Sequence, residues 1–205
     1  MTALYMDHAI TTETNDGRKI NVKYMLGWLY LKLFGWRLTG QPPKLCKFVV
    51  IAAPHTSNWD VPLMLAISYV YGIPLSWIGK HTLFKWPLGI IYSWLGGIPI
   101  HRETHQKVVD QMVQLFKERD SLFLTLSPEG TRSRTKSWKS GFYYIARGAD
   151  VRIVVAFVDY KKKIGGIGLT LNPSGDIQAD MEILRNFYQG VTGKRPENFG
   201  PVAIN

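Results

Sequence analysis

Four short apolar runs dominate the chain: KFVVIAA (47–53), LSWIGK (75–80), LFLTLSP (122–128) and VRIVVAFVDY (151–160). Runs of this length, rich in β-branched residues and nearly free of interior charge, read as strands buried on both faces. Between them lie helical patterns. WDVPLMLAISYVYG (59–72) is one, with Asn58 as its expected N-cap and Pro62 tolerated in the first turn. THQKVVDQMVQLFKERD (104–120) carries Val108, Met112, Leu115 and Phe116 on one face. WKSGFYYIARGA (138–149) and a closing DMEILRNFYQ (180–189) also read as helices, and GIGLTLNP (166–173) as a further strand. Strand alternating with helix predicts a single α/β domain, a mostly parallel central sheet flanked by helices, with active residues at strand ends. With 205 residues, 46% apolar and 20% charged, the chain can bury a real core.

Two apolar segments do not belong to that alternation. Residues 1–19 form a polar lead-in with Asp7, Glu13 and Asp16 and no signal-peptide pattern. INVKYMLGWLYLKLFGWRLTG (20–40) then reads as an N-terminal amphipathic or interfacial helix, charged only at Lys23, Lys32 and Arg37 and ended by Gly40, Pro42 and Pro43. Such a helix either packs on the domain or lies in a membrane interface, where Trp, Tyr and snorkelling Lys are at home. The expected boundary places this lead-in and helix at 1–40 and the main domain at 41–205. WPLGIIYSWLGGIPI (86–100) has no charge but is broken by three glycines and two prolines. It is too short to span a membrane and suits an apolar pocket wall or a dip into lipid. Six of the seven tryptophans fall between residues 28 and 94, which suggests a lipid-facing half.

The formal charge of +10 calls for an anionic partner: nucleic acid, anionic lipid or a phosphorylated substrate. Residues 130–165 hold nine Lys or Arg against Asp150 and Asp159. Near an anionic leaflet each basic residue adds about 1 kcal/mol of attraction. No nucleic-acid-binding motif is present, and aromatics near the basic run are confined to Trp138, Phe142, Tyr143 and Tyr144. The lone Cys46 excludes an internal disulfide and fits a reducing compartment. His8, His81 and His101 show no metal-ligand spacing, and no metal is expected.

Two His-x4-Asp pairs invite a catalytic reading. His105 and Asp110 sit inside the amphipathic helix. Five residues at about 100° each leave them roughly 140° apart around the axis, on different faces. His55 and Asp60 instead straddle a strand end and a helix start, in APHTSNWDVP. There the chain can fold back and let a carboxylate hold an imidazole nitrogen, the geometry a general base needs. The alternative is a loop histidine beside an aspartate that complements a helix N-terminus. A second block, SPEGTRS (127–133), follows a strand. Gly130 allows a tight turn, Arg132 can fork onto a phosphate, and Glu129 can orient that arginine or a substrate hydroxyl. A polar turn with a surface ion pair would look the same. A third block, GGIPIHRE (96–103), puts Arg102 at a helix start, where a cation opposes the dipole and an anion would be welcome.

In this order and spacing the blocks resemble the glycerolipid acyltransferase family that includes the 1-acyl-glycerol-3-phosphate acyltransferases, over roughly residues 45–160. PHTSNWD stands for the family's N-H-x4-D block, GGIPIHR for its arginine block and SPEGTRS for F-P-E-G-T-R-S. Three departures are visible: Pro54 for asparagine, Ser127 for an aromatic residue, and RIVVAFV without the proline of a fourth block. The resemblance implies acyl transfer from a thioester, acyl-CoA or acyl carrier protein, to a lysophospholipid hydroxyl, with no cofactor. His55 would be the base and Asp60 its orienter. Arg102 and Arg132 would hold the acceptor phosphate, with Glu129, Gly130 and Thr131 completing the substrate site. No G-x-S-x-G elbow is present for an acyl-enzyme. The default product is phosphatidate, made on the cytoplasmic face of a membrane by a peripheral or monotopic protein that binds no nucleic acid. Other lyso-lipids, such as a lyso-aminolipid, a hydrolase using the same base on water, and a non-catalytic basic membrane- or nucleic-acid-binding protein are the alternatives.

Overall fold

The computed structural model describes residues 21–100 and 105–204. Seven strands form one sheet: β1 (Arg37–Thr39), β2 (Lys47–Ala53), β3 (Leu75–Lys80), β4 (Gly97–Ile100), β5 (Leu122–Leu126), β6 (Arg152–Asp159) and β7 (Ile164–Leu171), in the order β1-β7-β6-β2-β5-β3-β4. All neighbouring pairs are parallel except the β6–β7 hairpin. Among the described residues six α-helices flank it: α1 (Val22–Leu33), α2 (Asp60–Tyr71), α3 (Leu88–Trp94), α4 (His105–Glu118), α5 (Gly141–Gly148) and α6 (Ile177–Tyr188). The single α/β domain with a mostly parallel sheet is as the strand–helix alternation predicts.

The central strand β2 shows why its sequence is apolar throughout. Val49, Ile51 and Ala53 face one core, where Met112 and Phe116 of α4, Phe142 and Ile145 of α5, and Met181 and Leu184 of α6 are buried. Phe48 and Val50 face the other, with Leu31 of α1 and Leu63, Ala66 and Ile67 of α2. Successive side chains point to opposite faces, so a strand covered on both sides has no polar position to spare.

The structure shortens one expected element. The helix expected over 20–40 stops at Leu33, Gly35 takes a left-handed φ of +69°, and Arg37–Thr39 becomes the edge strand beside β7. The apolar composition hid a glycine stop signal at Gly35. The inner face of α1 packs on α2: a Cβ on Gly27 would lie 2.6 Å from the Ala66 carbonyl oxygen, so only glycine lets the backbones approach this closely. Its outer face, including Leu26, Leu29 and Leu33, is exposed. Residues 86–100 resolve into α3 and β4, and the side chains of Trp86, Ile90 and Trp94 stand out from the surface. Among the described residues no helix is long and apolar enough to cross a membrane.

Candidate active site

The site forms where β2 ends. The chain leaves the sheet at Ala53, turns through Pro54–Trp59, and enters α2 at Asp60. Asn58 is not the N-cap of that helix; Trp59 occupies the position without a side-chain cap. The turn amides are satisfied by Asp60 itself, whose Oδ2 accepts the Thr56 and Ser57 N–H groups, both at 2.9 Å. The first-turn amides an Asn58 cap would serve are met by the main chain, Asp60 N–H donating to the Ser57 carbonyl at 3.2 Å and Val61 N–H to the Asn58 carbonyl at 3.3 Å.

The same Oδ2 lies 3.2 Å from His55 Nδ1. The other oxygen, Oδ1, accepts the Tyr160 hydroxyl at 2.7 Å. Asp60 is only 1% exposed. Burial by itself would raise its pKa, but the hydrogen bonds from His55, Tyr160 and the Ser57 amide, with the nearby imidazole charge, outweigh it and hold the carboxyl below its ordinary value. An ionised Asp60 accepting from Nδ1–H leaves Nε2 as the imidazole nitrogen that can take a proton.

Glu129, just past β5, joins the arrangement through the His55 main chain. Its Oε2 accepts the His55 backbone N–H at 2.6 Å and lies 3.4 Å from the Ser127 hydroxyl. Gly130 turns the chain there with φ of +67°. The side chain is 3% exposed, and its Oε1 has no hydrogen-bond partner among the described residues. Burial pushes its pKa up to about 7, against the lowering effect of the His55 amide.

Beside the pair opens an apolar cavity of about 50 Å³ that is partly open to solvent. His55 and Asp60 line it together with Met64, Ile67 and Tyr71 of α2, Phe157 and Val158 of β6 and Ile167 of β7. Its wall is mostly apolar, the character of a small-molecule site. No residue of 86–100 lines it.

A sequence model of the acyltransferase family matches residues 43–158, more than half of the chain and all of the His55–Asp60 and Glu129 loops. The chain belongs to the acyltransferase family. This acyltransferase also shares its fold with a crystal structure of PlsC, the 1-acyl-sn-glycerophosphate acyltransferase of Thermotoga maritima. The TM-score is 0.58 at 18% identity, covering 82% of this chain and 76% of that one. No curated protein sequence matches the chain.

Of the residues singled out from the sequence, the acyltransferase brings His55, Asp60 and Glu129 into hydrogen-bonded contact. Gly130, Thr131 and Arg132 are exposed on the loop that carries Glu129, and Thr131 Oγ1 accepts the Ser133 N–H at 3.2 Å. Arg102 lies outside the described residues. Among the described residues Glu129 makes no contact with Arg132; it grips the main chain of His55. Tyr160 was missed. It stands just past β6 without a motif, and its only signal was a place at a strand end, where α/β sites gather. Among the described residues no group of three or more His, Cys, Asp or Glu side chains is placed to hold a metal ion.

The buried carboxyl of Glu129 carries a pH prediction. Its folded pKa of about 7 lies above the ordinary 4.5, so the stability of the protonated form is fully present below 4.5 and is lost as pH rises through about 7. Glu129→Gln keeps an acceptor for the His55 amide and cannot ionise. Thermal melts should show the variant gaining on the parent between about pH 5 and about pH 8. Melting curves that run parallel across that window would refute the shift.

Proposed function

We propose that this acyltransferase moves a fatty acyl group from a thioester donor, acyl-CoA or acyl carrier protein, to the hydroxyl of 1-acyl-glycerol-3-phosphate, giving phosphatidate. The observation that carries the reading is a hydrogen-bonded His55–Asp60 pair lining an apolar cavity. An alcohol is a poor nucleophile until a base takes its proton. His55 Nε2 takes it as the hydroxyl oxygen attacks the thioester carbonyl, and Asp60 stabilises the imidazolium. The tetrahedral intermediate collapses with cleavage of the C–S bond. The proton passes from the imidazolium to the departing thiolate, whose ordinary pKa near 8.5 makes it a ready leaving group. The apolar wall beside the pair suits an acyl chain, and the basic loop with Arg132, together with Arg102, suits the acceptor phosphate.

Purified protein incubated with labelled acyl-CoA or acyl-carrier-protein thioester, lysophosphatidate and other lyso-lipids tests this directly. Labelled phosphatidate is the expected product. Free fatty acid alone would replace the reading with a hydrolase. Acylation of a different lyso-lipid would keep the chemistry and change the acceptor.

We infer further that the protein works at the cytoplasmic face of a membrane, as a peripheral or monotopic protein. The exposed apolar side chains of α1 and α3 support it. Lys23 Nζ sits 5.4 Å from the Trp94 ring and 5.7 Å from that of Tyr69, so the two exposed segments adjoin. Lys32 Nζ lies 4.6 Å from the Trp28 ring. Exposed aliphatic side chains flanked by Trp and Lys are the composition of an interfacial surface. Trp86 is 84% exposed and Ile90 68%, so replacing both with glutamate disturbs little packing. The double variant Trp86→Glu, Ile90→Glu should bind vesicles of phosphatidylcholine and phosphatidylglycerol about tenfold or more weakly than the parent in flotation assays. Equal flotation of both proteins would remove this surface from the membrane contact.

A further inference from the structure

We propose that Tyr160 is a positioning residue for the His55–Asp60 pair, a role that rests on the acyl-transfer reading above. The Asp60 carboxylate rotates about a broad, two-fold torsion, so anchoring one oxygen leaves its plane loosely defined. Oδ2 is shared by His55 Nδ1 and two loop amides from within five residues. Oδ1 is held by the Tyr160 hydroxyl, one hundred residues further along the chain. This second anchor ties the loop after β2 to the end of β6 and sets the angle at which Oδ2 meets the imidazole.

Tyr160 is itself clamped. Its backbone N–H donates to the Thr192 carbonyl at 2.8 Å. Its ring meets Trp36 edge-on, with centroids 5.0 Å apart. Lys194 Nζ lies 5.8 Å from the same ring and 4.7 Å from that of Trp59 in the loop between His55 and Asp60. The Arg195 N–H donates to Thr56 Oγ1 at 3.1 Å, so the C-terminal segment straps the two halves of the contact together. Burial and the neighbouring Asp60 charge raise the phenol pKa, which keeps the hydroxyl a donor near neutral pH. Tyr160 lies beyond the residues matched by the family model and does not line the cavity. Its effect should therefore fall on turnover and not on substrate binding.

The test compares Tyr160→Phe, Asp60→Asn, His55→Ala and the Tyr160→Phe, Asp60→Asn double variant, each assayed with acyl-CoA and lysophosphatidate. Phenylalanine keeps the ring against Trp36 and Lys194 and removes only the hydroxyl. The expected result is kcat lowered about tenfold or more in Tyr160→Phe, with KM within about twofold of the parent. The second substitution should cost nothing further once Asp60 is asparagine, because residues acting through one another are not additive. In histidine-labelled protein the Nδ1 resonance of His55 should shift in Tyr160→Phe, a readout independent of turnover. Parental kcat and an unmoved His55 resonance in Tyr160→Phe, with His55→Ala and Asp60→Asn impaired, would overturn the role of Tyr160 and leave the acyl-transfer reading intact. Parental activity in His55→Ala would overturn that reading and this inference with it.

Discussion

His55→Ala is expected to lower kcat for acyl transfer by about 10² to 10⁴-fold, the usual range for loss of a positioned general base. The imidazole lines the cavity, and histidine is the side chain most often used as a general base. Its removal should leave KM for both substrates nearly unchanged, because in the proposed reading the cavity wall and the basic loop hold them. The fold should survive: the side chain is 22% exposed, and the Glu129 contact is made by the backbone N–H, which alanine retains. Steady-state kinetics beside a thermal melt check both halves. Full turnover by a folded His55→Ala protein would leave the histidine as a loop residue and the pair without a catalytic role.

Asp60→Asn should cost kcat about 10³-fold or more, by the logic that an ionised carboxylate holds an imidazole in the right tautomer. Here the geometry sharpens the expectation. Four donors converge on this side chain: His55 Nδ1, the Thr56 and Ser57 amides and the Tyr160 hydroxyl. An ionised carboxylate accepts from all of them, whereas an amide must turn its NH₂ toward some of them. With its NH₂ toward His55 and the loop amides, asparagine sets donor against donor; with its NH₂ toward Tyr160, that hydroxyl must accept, and a neutral carbonyl replaces the anion that three donors share, so stability falls with activity. The pH dependence has a definite sign. The folded pKa of Asp60 lies below the ordinary 3.8, so its contribution is present above that value and is lost as pH falls through the folded one. The stability gap between parent and Asp60→Asn should therefore close on the acid side, as followed by denaturation at stepped pH. A gap that stays constant down to the lowest accessible pH would show that Asp60 is not favoured as an anion in the folded protein.

The strands and their surroundings were legible because a strand covered on both faces leaves an unbroken apolar run, as β2 and β6 do. The His55–Asp60 contact was legible because five residues at a strand–helix junction can fold back on themselves. The extent of α1 was not, because apolar composition continues through Gly35 into a strand that exists only by pairing with β7. Asn58 misled for a similar reason. It is a good cap by type, but the first-turn amides of Asp60 and Val61 donate to the Ser57 and Asn58 carbonyls instead.

What the sequence by itself determined is local: the strand–helix alternation, the identity of the His–Asp loop and the glutamate loop, and through their order the acyltransferase family. What only the tertiary structure decided is which distant groups complete that loop. Glu129 meets the His55 amide across seventy-four residues and Tyr160 meets Asp60 across one hundred. Hydrogen bonds at that separation depend on strand order and register, with β2 lying between β5 and β6, and neither partner carries a periodic or short-range mark that would reveal the other.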